Sequence, residues 1–558
     1  MNRFILLFLT CVLGFMAARS LLETSQRNLD LVDLLPQDCL ALIEGRHLPQ
    51  SLKRWQTGLV GTTVLQPAFL PFLTRHHLVD SDHLPGTHWL GALNELSRRA
   101  GFSQLFAGHV LLALTSAQPG NDAQESPLLG RLLVLREVTP AIDVRREFAL
   151  VFGEVAASST STHQGQTLHH LRFAQGQQLT YLLHDNLLLW AFNTHIVHQS
   201  VQQLVQLLVP THTRRQSSAT FLRLRQMAGD DSEFFIYAQQ QALRTLLPQA
   251  VSFVDTLGWP IPTHLALFAN PMPKGERLVV AALADEQQLH DLRQRYHLRL
   301  PAMKPALERL SASTGLVLWT NWLHLEQSWA SLQNQGPADL ATLLRQGVES
   351  LADMAGMSVE SFLGLFGSEV GLFLDYIHAP HQAPRSKACL TIEILDHQRI
   401  EAVCKRLVAG LQTVEVLSSG LRIVTTILAN GLLQPAYALF DQQLVLADGV
   451  ELIERWYGQN RQATVALDSN PLLDGRRCNF FLFLRTADMV EWLLPMATSI
   501  GKEYAARMGE DYRHWLLADP VLTSFLANLR GIETSRIRSL IDNDALLLEL
   551  VWTLQPHQ

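Results

Sequence analysis

The sequence predicts an α+β protein of two tandem repeated units, each of antiparallel sheets with helices packed on at least one face. Three observations point there. The stretch GFSQLFAGHVLLAL (Gly101 to Leu114) is answered by SFLGLFGSEVGLFL (Ser361 to Leu374), sharing Phe102/Phe362, Leu105/Leu365, Phe106/Phe366, Val110/Val370, Leu112/Leu372 and Leu114/Leu374. The pattern Tyr181-x-Leu183-x-Asp185-x-x-Leu188 recurs as Tyr437-x-Leu439-x-Asp441-x-x-Leu444. Neighbouring strand patterns are joined by short turns, which requires antiparallel pairing, and helical patterns fall between the strand groups.

The elements follow in order. Asp38 to Glu44 is apolar on both faces and reads as a central, covered strand. Helical pattern runs from Leu48 to Trp55, a His-rich loop from Leu70 to Trp89, and a helix from Leu90 to Ala100. Strands Val110–Thr115 and Leu132–Glu137 flank the polar loop Ala117–Pro127, and a helix follows Pro140 to about Phe152. Strands near Leu168–Phe173, Leu179–Leu183 and Leu187–Phe192 come next, with Asp185-Asn186 as a hairpin turn. A helix over Ile196–Val209 closes the set. Phe234–Ala238 is a second strand apolar on both faces, followed by a helix and the strands Leu265–Ala269 and Leu278–Ala284. The order then repeats from Leu316, through Val370–Leu374, Cys389–Ile394, the helix Arg399–Leu411, Leu421–Leu428, Ala436–Phe440, Leu444–Ala447 and Phe480–Leu484. A hairpin, Arg536–Leu540 and Leu546–Trp552, ends the chain. These readings place a first α+β unit at 30–300 and a second, an internal duplication, at 305–556.

Residues 1–22 read as a signal anchor or signal peptide. Arg3 precedes the apolar run Phe4–Ala18, short for a spanning helix unless Arg19 snorkels and Leu21 and Leu22 extend it. The bulk of the chain is then expected outside the inner membrane of a bacterial cell envelope. With 558 residues, 47% hydrophobic and 17% charged, the chain is a packed protein and not a disordered one. A net charge of −7 without basic blocks argues against nucleic acid as a partner. The inner membrane, through the N-terminal segment, and a protein or lipid partner are the partners expected. Cys39, Cys389, Cys404 and Cys478 form no CxxC and read as free thiols, with disulfides the alternative.

Each unit opens on a strand, the first behind the lead Leu35-Pro-Gln-Asp38, and carries the Tyr-x-Leu-x-Asp-x-x-Leu hairpin. In these features the chain resembles a family of bacterial envelope proteins known only as a domain of unknown function. That resemblance implies an N-terminal signal or anchor and repeated α/β modules outside the inner membrane. The family brings no catalytic residues to carry over.

Candidate chemistry is sparse. His76, His77, Asp80, Asp82, His83 and His88 crowd one loop, and imidazole with carboxylate is a metal-ligand set. The spacing is not that of a helical HExxH, so a solvated loop competes with a metal site. His163, His169 and His170 form a weaker group, with His169 and His170 on opposite faces of one strand. His109 and Glu369 occupy matching positions and could act as an acid–base pair or simply open a strand. Trp319, Trp322 and Trp329 read as a core corner or an apolar cleft wall. The loops Ala117–Pro127 and His378–Ser386 leave the two units at matching places as partner contacts or solvated loops. No nucleophile elbow, phosphate loop or dinucleotide fingerprint is present, and no cofactor is expected. The expected function is a non-catalytic, membrane-anchored scaffold or binding module. The alternatives are a metal-dependent hydrolase using the loop 76–88 and a carrier of a hydrophobic ligand, the latter suggested by a mean hydropathy of +0.09.

Overall fold

In the computed structural model the described residues are 31–36, 39–46, 48–57, 98–99, 101–116, 131–138, 143–208, 219–229, 232–246, 261–272, 275–295, 314–326, 329, 338–377, 385–431, 433–462, 477–508, 519–541 and 545–555. They fall into two compact units, one formed by residues 1–47 with 99–222 and the other by 48–98 with 223–558.

The first unit holds β1 (Cys39–Gly45), β2 (Val110–Thr115), β3 (Leu132–Glu137), β4 (Val155–His163), β5 (Gln166–Phe173), β6 (Gln178–His184) and β7 (Leu187–Ala191). Their antiparallel ladders run in the order β1-β2-β3-β7-β6-β5-β4. The β6–β7 turn is tight because Asp185 adopts φ 48°, a left-handed conformation that Asp tolerates better than most residues. The helix Val144–Phe152 starts at Asp143, whose carboxylate accepts the Arg146 amide. It covers the sheet face carrying Tyr181 and Trp190: Phe148 meets Trp190 edge-on with centroids 5.5 Å apart. Helix Thr194–Leu208 lies on the opposite face, where Thr194 bonds Thr180 on β6.

The second unit holds β8 (Phe234–Gln239), β9 (His264–Met272), β10 (Gly275–Leu283), β11 (Thr314–Thr320), β12 (Phe366–Ile377), β13 (Arg385–Ile394), β14 (Thr413–Ser418) and β15 (Leu421–Thr426). It continues with β16 (Ala436–Phe440), β17 (Gln443–Ala447), β18 (Phe480–Leu484), β19 (Ile532–Ile541) and β20 (Ala545–Leu554). The order is β8-β9-β10-β20-β19-β18-β11-β12-β13-β17-β16-β15-β14. Helix Val450–Gln462 packs Leu452, Ile453 and Trp456 onto one face, over Val317, Trp319, Phe373, Val445 and Phe481. On the other face the helices Ala338–Ala355 and His397–Leu407 cover Leu444 and lie against Tyr437 and Leu439.

The fold class read from the sequence is corrected here. Among the described residues the protein is strand-dominated and is not two repeated α+β units. Its strands are antiparallel throughout, and the decisive ladder is β10 with β20, pairing Gly275–Leu283 with Ala545–Thr553. An exposed strand edge is a row of unsatisfied backbone groups, and here the edges of β10 and β20 satisfy each other. Strands before residue 300 and strands at the C-terminus therefore belong to one sheet. Close approach is built into this seam: a Cβ on Gly275 would lie 1.9 Å from the Trp552 carbonyl oxygen.

Candidate functional site

An unusual surface of the second unit consists of aliphatic side chains. Strands apolar on both faces must place half of their side chains on each side of the sheet. One side is the sealed core described above. On the other, ladder partners line up across eight strands as Leu446, Leu390, Leu372, Leu318, Leu482, Ile537, Leu550 and Leu278. Leu446 and Leu318 are each 36% exposed and the other six are partly covered. The helix Thr486–Met508 enters on this face, where Thr486 Oγ1 bonds Ser535 Oγ at 2.7 Å, and lies against β19 and β11. At about 4.8 Å per strand the row is about 34 Å long. Flanking residues widen it: Val370, Phe480 and Leu548 on one side, Leu374, Leu316 and Leu484 on the other. The row itself carries no charge, no Tyr and no Trp.

Two polar atoms accompany this band. Ser539, the ladder partner of Phe480 and Leu548, is buried, and its Oγ has no hydrogen-bond partner among the described residues. Trp322 packs beside Ile541 and Leu546, and its Nε1 is likewise buried without a partner. A band of this extent on a monomer is normally covered by something.

The residues singled out from sequence are distributed differently. His76, His77, Asp80, Asp82, His83 and His88 lie outside the described residues, as do loop residues 117–127 and 378–384. Among the described residues no group of three or more His, Cys, Asp or Glu side chains could hold a metal ion. His109 and Glu369 do not meet as an acid–base pair. His109 instead bridges Glu44 (Nε2 to Oε1, 2.8 Å) and Glu137 (Nδ1 to Oε1, 3.3 Å). Glu369 Oε1 accepts the indole N–H of Trp319 at 2.9 Å. By ladder register Glu44 stands opposite Leu111 just as Trp319 stands opposite Gly371. Each contact therefore ties one strand, β1 or β11, to the residue just before the matched run of its ladder neighbour, β2 or β12. Trp319 and Trp329 belong to core clusters, which makes them packing residues.

The Glu44 hydrogen bond holds the His109 imidazole above its ordinary value; burial opposes this and Glu137 adds to the rise. A raised folded value means stability that is fully present below the unfolded pKa, about 6.5, and is lost as pH rises through the folded value. His109→Gln should flatten that part of the profile. Urea midpoints on either side of neutrality, compared between variant and parent, check it.

Among the described residues Cys39, Cys389, Cys404 and Cys478 form no disulfide. Burial pushes the Cys389 thiol up to about 12 and the Cys404 thiol up to about 11, so neither supplies thiolate at neutral pH. No helix among the described residues is long and apolar enough to cross a membrane. No family model, no curated protein and no solved structure matches the chain.

Proposed function

We propose that this chain is a non-catalytic binding module of the bacterial envelope whose half-exposed sheet band takes the acyl chain of a lipid. The observation that carries the reading is the uninterrupted Leu/Ile row across β10, β20, β19, β18, β11, β12, β13 and β17. Its chemistry selects the occupant. Protein-binding hot spots are built on Trp, Tyr and Arg, and Leu is under-represented in them. A long, narrow strip of branched aliphatic groups instead matches a flexible hydrocarbon, which gains about 0.8 kcal/mol per methylene buried. The N-terminal apolar segment, read as an inner-membrane signal or anchor, would keep the module close to a supply of lipid, with residues 30–556 outside that membrane.

Titration with a fluorescent fatty acid tests this. The protein should bind the probe in the micromolar range and release it to oleate, and Leu318→Gln with Leu446→Gln should weaken binding about tenfold or more while leaving stability within about 1 kcal/mol. A concentration-dependent dimer that buries the band and excludes the probe would overturn the proposal in favour of self-association.

A further inference from the structure

The first unit carries a second unusual grouping, independent of the lipid reading. On the sheet face that receives the helix Thr194–Leu208, imidazoles gather from three elements. His163 at the end of β4 stacks on His198 of the helix, with centroids 4.1 Å apart and planes 9° off parallel. His170 on β5 is held at both nitrogens, Nε2 by Ser161 Oγ at 2.7 Å and Nδ1 by Thr180 Oγ1 at 3.0 Å. Thr180 passes the chain on to Thr194 at the start of the helix, at 2.7 Å. His195 adds a further ring one helical turn before His198.

Two stacked neutral imidazoles attract through their faces, but two imidazolium ions at that distance repel. Whether a carboxylate could absorb the charge decides the outcome. The charges acting on His198 are those of His163, His195 and His170, and on His170 that of His169. Among the described residues no carboxylate is one of them. On the remaining elements packed here, Arg172 on β5 would add to the repulsion. Asp33 lies on the turn Leu31–Leu34, which packs against the same helix, and Asp185 at the β6–β7 turn is 90% exposed and pairs with His184. His169 faces the other way, stacked on Tyr181.

We propose that the β4–β5 hairpin and the helix Thr194–Leu208 form an acid-operated latch, closed while His170 and His198 are neutral and opened when they take up protons. Burial holds both His198 and His170 below their ordinary values, as closure by neutral rings requires. The stability this contributes is present above the unfolded imidazole pKa, about 6.5, and is lost as pH falls through the lowered folded values. The sign is opposite to that of His109 in the same unit, so the two effects are separable.

Hydrogen–deuterium exchange of the full chain tests the latch. Between about pH 7.5 and 5.5, protection of residues 155–173, corrected for intrinsic exchange, should fall about tenfold or more, while β12 and β13 stay unchanged. His198→Phe keeps a flat ring on His163 but cannot be protonated there, and should cut that fall to about twofold or less. Unchanged protection in the parent protein, or an undiminished fall in His198→Phe, overturns the proposal. Should the variant not fold, imidazole NMR titration of the parent decides: His198 and His170 titrating at or above the ordinary value would equally overturn it.

Discussion

Replacing Glu549 with Ala is expected to cost about 3–5 kcal/mol of stability. Glu549 is 5% exposed on β20, at the seam with β10. Arg277 of β10 reaches its Oε1 at 2.6 Å, and Arg538, its ladder partner on β19, approaches Oε2 at 2.5 Å. The Arg538 contact is a charge contact rather than an aligned hydrogen bond, since Oε2 has no partner of hydrogen-bond geometry. Removing the carboxylate takes away the counter-charge that the buried Arg538 shares with Arg277. Replacing all three groups with apolar residues of similar volume should cost far less, because the pair's desolvation penalty disappears with it. Urea unfolding gives both numbers, with an unchanged slope showing that only stability has moved.

Trp319→Ala should cost a similar amount, about 3–5 kcal/mol. Its side chain is fully buried in the cluster with Phe373, Val445 and Phe481, so truncation opens a cavity that a strand-bound neighbourhood cannot close. Part of the loss is polar: Glu369 forfeits the indole N–H that it accepts at 2.9 Å. Trp319→Phe isolates that part, and a loss of about 1 kcal/mol beyond its volume change is expected. The same urea series measures it.

Much of the local structure was legible because it rests on local chemistry. The turn at Asp185-Asn186 is where the hairpin pattern put it, and Asp441 repeats the backbone with φ 49°. Strands Val110–Thr115 and Leu132–Glu137 have the bounds that their apolar runs suggest. The misses share a cause. β4 and β14 are edge strands with exposed, polar or small side chains, so no apolar alternation marks them. The β10–β20 ladder joins segments about 270 residues apart, which no local pattern encodes, and with it the expectation of separate units fails. The aliphatic band was half legible. A strand such as Phe480–Leu484 reads as apolar on both faces, from which full cover is the natural inference; only the packed structure shows one face left half open. The imidazole latch depends on β4, and its geometry was hidden with that strand.

Photolabelling with a diazirine-bearing fatty acid, followed by peptide mapping, tests the central claim most directly. The account predicts oleate-sensitive labels concentrated on 316–320, 370–374, 388–392, 444–447 and 480–484. Labels confined to other surfaces, or labelling that excess oleate does not reduce, would contradict it.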